Sequence, residues 1–434
     1  MNKLNSWNNI PDKQPNTKPL FLKDNNIFHE TSENLLPRGL GRSYGDVCLI
    51  EDGTLALTNF KKRIIDFDEE KGIINCESGI SINEILKLIA PSGWFLPIVP
   101  GTSYVTIGGA IANDIHGKNH HNKGSFGNWV LSFEILLSSG EVLNCSKDNN
   151  TEHFNATIGG LGLTGLILSV KIQLIKISNE FIDSGTTRFY SLDEFFQINE
   201  EMEKQYEYTV AWVDFNPTNS YGLRGVYHYG NHSKKQNIKK SFNPNGFRIS
   251  LPFTPPISLV NNFTLSLLNN IYFLLNKNKT LKLQSYKSFF FPLDIVKNWN
   301  KAYGVKGFYQ YQFVVPTNAA YKVIDEIINQ FKKANQRPAL GVLKSFGNIE
   351  SNGILSFPEK GLTLAIDLQN KGNTTLELMN KLDEIILLYG GKLYPAKDCR
   401  MSSSTFKKMY PQIDSFKKYK DPKISSLFYK RVIK

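Results

Sequence analysis

The sequence predicts an α+β protein, and three features of the chain predict it. Residues 35–176 are dense in glycine and carry short apolar runs of strand length between turn residues. From about residue 177 aromatics become more frequent, and strand-like segments alternate with long helical ones, the pattern of helices laid over one face of an antiparallel sheet. No heptad is sustained and no repeat of roughly 20–50 residues recurs, which excludes coiled-coil and solenoid architectures.

In the first region GTLALTNF, GIINCES, WVLSFEILLSSGEVLNC and GLILSVKIQLIKI alternate apolar and polar residues or run apolar for four to eight positions, and each reads as strand. Ser81 ahead of INEILKLIA reads as a capped short helix. In the second region YTVAWVDF, FYQYQFVVP and LTLAIDLQ read as strands. NAAYKVIDEIINQFKKA and NTTLELMNKLDEIILLYG show helical apolar spacing behind polar N-terminal caps.

A chain of 434 residues with 41% apolar and 12% aromatic content can bury two or three cores and is not disordered. Lysine and arginine total 51 against 39 acidic residues, a net charge of +12, which suits an anionic partner. The basic stretches lack the aromatic or recognition motif that nucleic-acid binding uses, so no nucleic-acid partner is expected. Cys48, Cys76, Cys145 and Cys399 are far apart, so neither a disulfide framework nor a zinc site is expected, and a reducing compartment is the simplest setting. The first fifteen residues have no apolar core of signal-peptide type. Residues 251–275 contain no charge, but Pro252, Pro255, Pro256 and two Asn pairs argue against a spanning helix; core, lid and membrane-surface readings stay open. The basic C-terminal stretch, with nine Lys/Arg against two Asp over residues 406–434, reads as a solvated helical tail or as a contact for an acidic membrane.

Three loops carry the chemistry. In Pro37-Arg38-Gly39-Leu40-Gly41-Arg42-Ser43-Tyr44-Gly45-Asp46, glycines let successive amides converge on an anion and two arginines add charge. Gly101 and Thr102 precede Thr106-Ile107-Gly108-Gly109-Ala110-Ile111-Ala112-Asn113-Asp114-Ile115-His116-Gly117-Lys118, where small residues would let a flat ligand lie on the backbone. The His116/His120 spacing could suggest a metal helix, but Gly117 and the nearby asparagines make that helix poor, and no metal is expected. Gly160-Leu161-Gly162-Leu163-Thr164-Gly165 matches G-x-G-x-x-G, yet a strand pattern follows it instead of a helix, which excludes a Rossmann turn. Together the loops imply one cofactor with a pyrophosphate, held by backbone; an isoalloxazine dinucleotide fits.

The strings PRGLGRSYGD, PGTSYVTIGGAIANDIHGKNHH and GGLGLTGLI resemble the vanillyl-alcohol-oxidase-type flavoproteins. Within that group FYQYQFVVP, VLKSFG, SFPEKGLTLAIDL and GGKLYPAKD are most similar to the decaprenylphosphoryl-ribose 2′-oxidase family, in order through most of residues 37–411. The resemblance implies a two-lobed FAD-binding domain over residues 1–176, a substrate domain over 177–391, and a segment, 392–434, that returns to the FAD domain. It places flavin contacts on Arg38, Gly39, Gly41, Arg42, Ser43, Tyr44, Gly101, Thr102, Thr106, Gly108, Gly109, Ala112, Asn113, Gly160, Gly162 and Gly165. Relatives with covalent FAD have histidine where this chain has Arg42, so non-covalent FAD is expected.

The resemblance assigns Lys118, Gln310, Gln312 and Lys344 to the substrate pocket. His116, Lys397 and Tyr44 are the candidate proton-handling residues, with His116 and Lys397 favoured and their roles open. Where actinobacterial members carry cysteine two residues before the aspartate of LTLAID, this chain has Ala365. The activity implied is FAD-dependent oxidation of a polyprenyl-phosphoryl ribofuranose at its 2-hydroxyl, followed by a short-chain-dehydrogenase-type reductase, at the inner face of the cell membrane. A soluble aldonolactone or sugar-alcohol oxidase is the alternative. Lysines of SKKQNIKK and NKNKTLKLQSYK would flank residues 251–275 as basic edges.

Overall fold

The computed structural model of the chain describes residues 4–10, 17–21, 27–28, 34–215, 223–235 and 249–433. Of the two expected basic edges, residues 236–240 lie outside that set. Three parallel strands, Thr17–Phe21, Gly53–Leu57 and Asn34–Arg38 in spatial order, make a small N-terminal sheet. A five-stranded antiparallel sheet adjoins it in the order Ile64–Asp68, Ile73–Glu77, Leu166–Gln173, Val130–Leu136, Val142–Ser146. The helix Ile82–Ile89 starts where Ser81 and Glu84 cap each other's backbone amides, and it buries Ile82, Ile85, Leu86 and Ile89. The glycine run 159–165 leads directly into the strand Leu166–Gln173.

The second region forms one eight-stranded antiparallel sheet, from Lys279–Ser285 through Phe181–Phe189, Arg224–His232, Tyr208–Asp214, Gly341–Phe346, Gly361–Gln369 and Phe308–Val315 to the short edge Lys392–Leu393. The helices Leu192–Gln205, Ala320–Ala334 and Asn373–Leu388 pack on it. Side chains alternate across a strand, so Tyr309, Tyr311, Phe313 and Val315 join Leu362, Leu364, Ile366 and Leu368 in the helix-covered core. The intervening Gln310 and Gln312 belong to the other face.

Two helix caps differ from expectation. Ala320–Ala334 and Asn373–Leu388 start behind Ala319 and Gly372, neither with a side-chain cap. Thr375 spends its hydroxyl on Gln336 and the Gln369 carbonyl, tying the helix start to the preceding strand.

The C-terminal stretch is not a solvated tail. The chain leaves the large sheet at Tyr394 and crosses to the N-terminal region. Tyr44 and Gly45 donate to the Ala396 carbonyl, and Leu35 pairs with residues 423 and 425. Phe406, Tyr410, Phe416, Phe428 and Val432 are buried at helical spacing, which leaves the lysines outward. Arg431 bridges Asp46 at 2.8 Å and Asp398 at 2.9 Å.

Candidate active site

A cleft of about 500 Å³ opens between the glycine loops and the uncovered face of the large sheet, within the roughly 300–1,000 Å³ typical of small-molecule sites. The loops contribute Arg42, Ser43, Tyr44, Gly101, Thr102, Thr106, Gly109, Asn113 and His116. The sheet contributes Gln310, Gln312, Val342, Lys344 and Ala365, and the returning C-terminal segment contributes Tyr394 and Lys397.

Thr106 caps the short helix Ile107–Ala112 by accepting from the Gly109 amide at 3.2 Å, and Asn113 donates back to the Gly109 carbonyl at 2.9 Å. The Arg42 guanidinium lies 4.0 Å from the Trp7 ring centroid and 5.3 Å from that of Tyr104. Among the described residues the amides of Gly41, Arg42, Ser43, Gly101 and Thr102 find no acceptor. The Asn113 side-chain oxygen is buried without a partner among them. Gly41 sits at φ +62°, where a Cβ would lie 2.2 Å from the Arg38 guanidinium; a Cβ at Gly101 would project into open space. Spare amides, a neighbouring arginine and a Cβ-free wall fit the diphosphate and flat ring of a flavin dinucleotide.

Other residues among the expected contacts also carry packing around the cleft. The Arg38 guanidinium does not reach the cleft: it donates to the carbonyls of Cys48 at 2.7 Å and Asn5 at 2.6 Å. A Cβ at Gly39 would strike the Thr106 side chain, at Gly108 it would meet Ser78, at Gly160 the Ala156 carbonyl, and at Gly165 the Ile135 side chain. These glycines and Ala112 set close packing behind the cleft wall; Gly162 opens on free space.

The polar wall is a relay of hydrogen bonds. Gln312 Nε2 donates to Thr363 Oγ1 at 3.1 Å and contacts His116 Nε2 at 3.0 Å. Thr363 in turn donates to the Phe313 carbonyl. With the Gln312 amide donating both ways, His116 Nε2 is an acceptor and its proton resides on Nδ1. Burial, then Lys344, His120 and Lys397, hold this imidazole well below the usual histidine range, so it is neutral.

Lys344 donates to the Gly117 carbonyl at 2.8 Å, and Lys118 donates to the Phe289 carbonyl. Lys118 is therefore set beside the cleft, its ammonium over the Phe289 ring. Burial lowers Lys118 to about 7 and Lys397 to about 8, and pulls Lys344 well down with help from the other two lysines. Lys397 lies 5.0 Å from the Tyr44 ring centroid. Burial and nearby Asp367 push the Tyr44 phenol up, so it stays protonated.

Sequence reasoning missed two carboxylates. Asp367 is buried, accepts from Gln310 at 2.5 Å and from the Tyr303 hydroxyl at 3.2 Å, and is pushed up to about 6 by burial. Its signal was available: it is in phase with Ala365 on the cleft-facing side of LTLAID. Asp294 accepts from Thr102 Oγ1 at 2.6 Å and from the Ser103 amide and hydroxyl at 2.8 Å, closing residues 292–295 over the loop at Gly101. Nothing local in the sequence marks Asp294, because its partners lie 191 and 192 residues away.

Comparisons with known proteins agree with this geometry. Residues 26–146 match the family described as FAD binding domain. The chain is 34% identical over 395 residues to the decaprenylphosphoryl-β-D-ribose oxidase of Mycolicibacterium smegmatis, covering 89% of this chain and 85% of that protein. It is 29% identical over 365 residues to an uncharacterised protein of Streptomyces coelicolor, covering 80% and 97%. Similarity to the L-gulonolactone oxidase of Scyliorhinus torazame is 29% over 137 residues, 32% of this chain and 31% of that one. The chain is an FAD-dependent oxidoreductase and belongs to the decaprenylphosphoryl-β-D-ribose oxidase family.

Proposed function

We propose that the protein oxidises the 2-hydroxyl of a polyprenyl-phosphoryl-β-D-ribofuranose to the 2-keto sugar. This is the first half of an epimerisation to the arabinose form used in cell-envelope glycan synthesis. The observation that carries the reading is that Lys344 and Lys397 line the cleft together with the Gln312–His116 pair, with Lys118 set beside it. A free sugar does not call for so many lysines, whereas a phosphodiester does, and its negative charge would favour the ammonium form of those that meet it. The M. smegmatis relative, similar over nearly the whole chain, is named for that substrate; the lactone oxidase is similar over only a third of it.

FAD, held without a covalent bond because Arg42 stands at the attachment position, supplies the acceptor for the carbinol hydride. The residues do the rest. Residues 1–176 and 392–434 hold the cofactor, and 177–391 hold the substrate. Lys118 and Lys344 bind the phosphodiester, while Gln310 and Gln312 orient the sugar. Of the three candidate bases, Tyr44 is kept protonated by burial, and His116 has its acceptor nitrogen engaged by Gln312. Lys397, lowered to about 8, is the group that takes the hydroxyl proton. Neutral His116 acts as a hydrogen-bond donor. A reductase of the short-chain-dehydrogenase type completes the epimerisation, with the oxidase resting on the inner face of the membrane.

The test is anaerobic titration of the purified flavoprotein with lipid-linked ribose, read at the flavin absorbance band. Bleaching by this substrate is expected. Absence of bleaching, or equal bleaching by free lactones or polyols, overturns the reading.

A further inference from the structure

The helix Asn262–Leu275 is turned inside out. Its inward side carries Leu265, Asn269 and Phe273. Asn269 donates to the buried Asp214 carboxylate at 2.8 Å, and Phe273 lies between the guanidinium groups of Arg188, at 4.7 Å, and Arg224, at 4.6 Å. The outward arc is apolar apart from Thr264, with Asn262 and Asn270 exposed at its margins. Phe263 is 77% exposed, Leu268 60% and Leu275 68%, and Leu267, Ile271 and Leu274 complete it. Phe253, Ile257 and Leu259, just ahead of the helix, are exposed as well. A helix facing water would be built the other way round.

Three observations identify what covers this face. The six apolar side chains of the arc offer no hydrogen bond, and Thr264 among them is turned back onto the Leu259 carbonyl and the Asn261 amide, whereas protein interfaces carry roughly one hydrogen bond per 100–200 Å². Residues 249–293 contain no Asp or Glu, while Lys277 and Lys282 are exposed beside the helix and Lys297 at the cleft. The apolar segment is also continuous with the cleft wall. Ile249–Ser250 pairs with Val296–Lys297, Leu251 donates to the Lys297 carbonyl, Leu259 to Ala302, and Lys301 to Pro252. Leu293, Val296 and Lys297 line the cleft itself.

We propose that residues 253–275 seat in an anionic lipid bilayer at the boundary of headgroups and acyl chains, with the cleft mouth held at that surface. This names the element behind the membrane contact proposed above, and it rests on that reading only for what the membrane delivers. The acyl region takes the outward arc, and the lysines meet lipid phosphates.

The experiment is co-sedimentation of the holoenzyme with vesicles of phosphatidylcholine alone or mixed with phosphatidylglycerol. The expected result is binding to the anionic vesicles that weakens as salt rises. Binding of Leu267→Asp/Leu268→Asp should fall at least about tenfold, because two desolvated aliphatic side chains become charges. Lys277→Glu/Lys282→Glu should lose the preference for anionic lipid. Both variants should keep flavin absorbance, melting temperature and turnover of a water-soluble, short-chain prenylphosphoryl ribose. Wild-type protein that stays in the supernatant, or Leu267→Asp/Leu268→Asp that sediments like wild type, overturns the proposal. So does a soluble dimer in which crosslinking places this helix at the subunit contact. If the protein ignores vesicles but bleaches with the short-chain substrate, only the docking surface falls. If it binds vesicles but no lipid-linked ribose bleaches it, the surface stands and the catalytic reading falls.

Discussion

At Lys397 two opposed influences set the protonation state. Burial lowers the ammonium to about 8, and the Asp367 carboxylate partly restores it. As the proposed proton acceptor, Lys397 must be neutral, so the rate of flavin reduction should rise as pH increases through about 8. Removing the carboxylate removes the raising influence. Asp367→Asn should therefore move that limb to lower pH, and Lys397→Met should abolish it; stopped-flow reduction across a pH series reads both. A limb that stays in place in Asp367→Asn would detach the carboxylate from the chemistry. Gln312→Met keeps the length of the side chain and removes the donor that holds His116 Nε2. It should slow reduction by roughly 10²-fold while flavin absorbance persists, because the imidazole can then change tautomer. His116, Gln312 and Lys344 were legible as residue types in distinctive strings. Their protonation was not legible, since desolvation depends on what packs around a group and not on its neighbours in sequence.

At the scale of elements, the strand Phe308–Val315 shows why pattern reading succeeded. Aromatics and glutamines alternate with period two, so one face must enter the helix-covered core and the other must face the cleft. The loop at Gly41 is held as firmly by backbone conformation. At φ +62°, with the Arg38 guanidinium anchored beside it, Gly41→Ala should cost about 1–3 kcal/mol. A lower melting temperature and faster loss of flavin on dilution would show it. The helix Ile82–Ile89 offers a milder case: Ser81→Ala removes one half of a reciprocal cap and should cost about 1 kcal/mol without altering flavin content. The caps of the two long helices were misread because Ala319 and Gly372, which have no side-chain acceptor, occupy the cap positions, and Thr375 bonds across to Gln336 and Gln369.

The whole molecule is closed by its last residues. Arg431 reaches back to Asp46 next to the first glycine loop and to Asp398 next to Lys397, with both carboxylates nearly fully buried. Arg431→Met removes the cation that the two buried carboxylates share and should cost about 3–5 kcal/mol. Asp46→Asn added to it should recover part of the loss, and thermal denaturation of the two variants measures the difference. The basic count over residues 406–434 suggested a tail in water, but composition counts the outward lysines and not the buried aromatics that alternate with them. By itself the sequence determined the α+β class, the strand–turn rhythm of the glycine loops and the family, because these depend on local periodicity and on residue types at short spacing. Only the tertiary structure decided which cations meet in one cleft, which carboxylates hold them, and that one apolar helix faces outward. Those outcomes depend on distance and solvent exclusion between segments far apart in the chain, which no local pattern encodes.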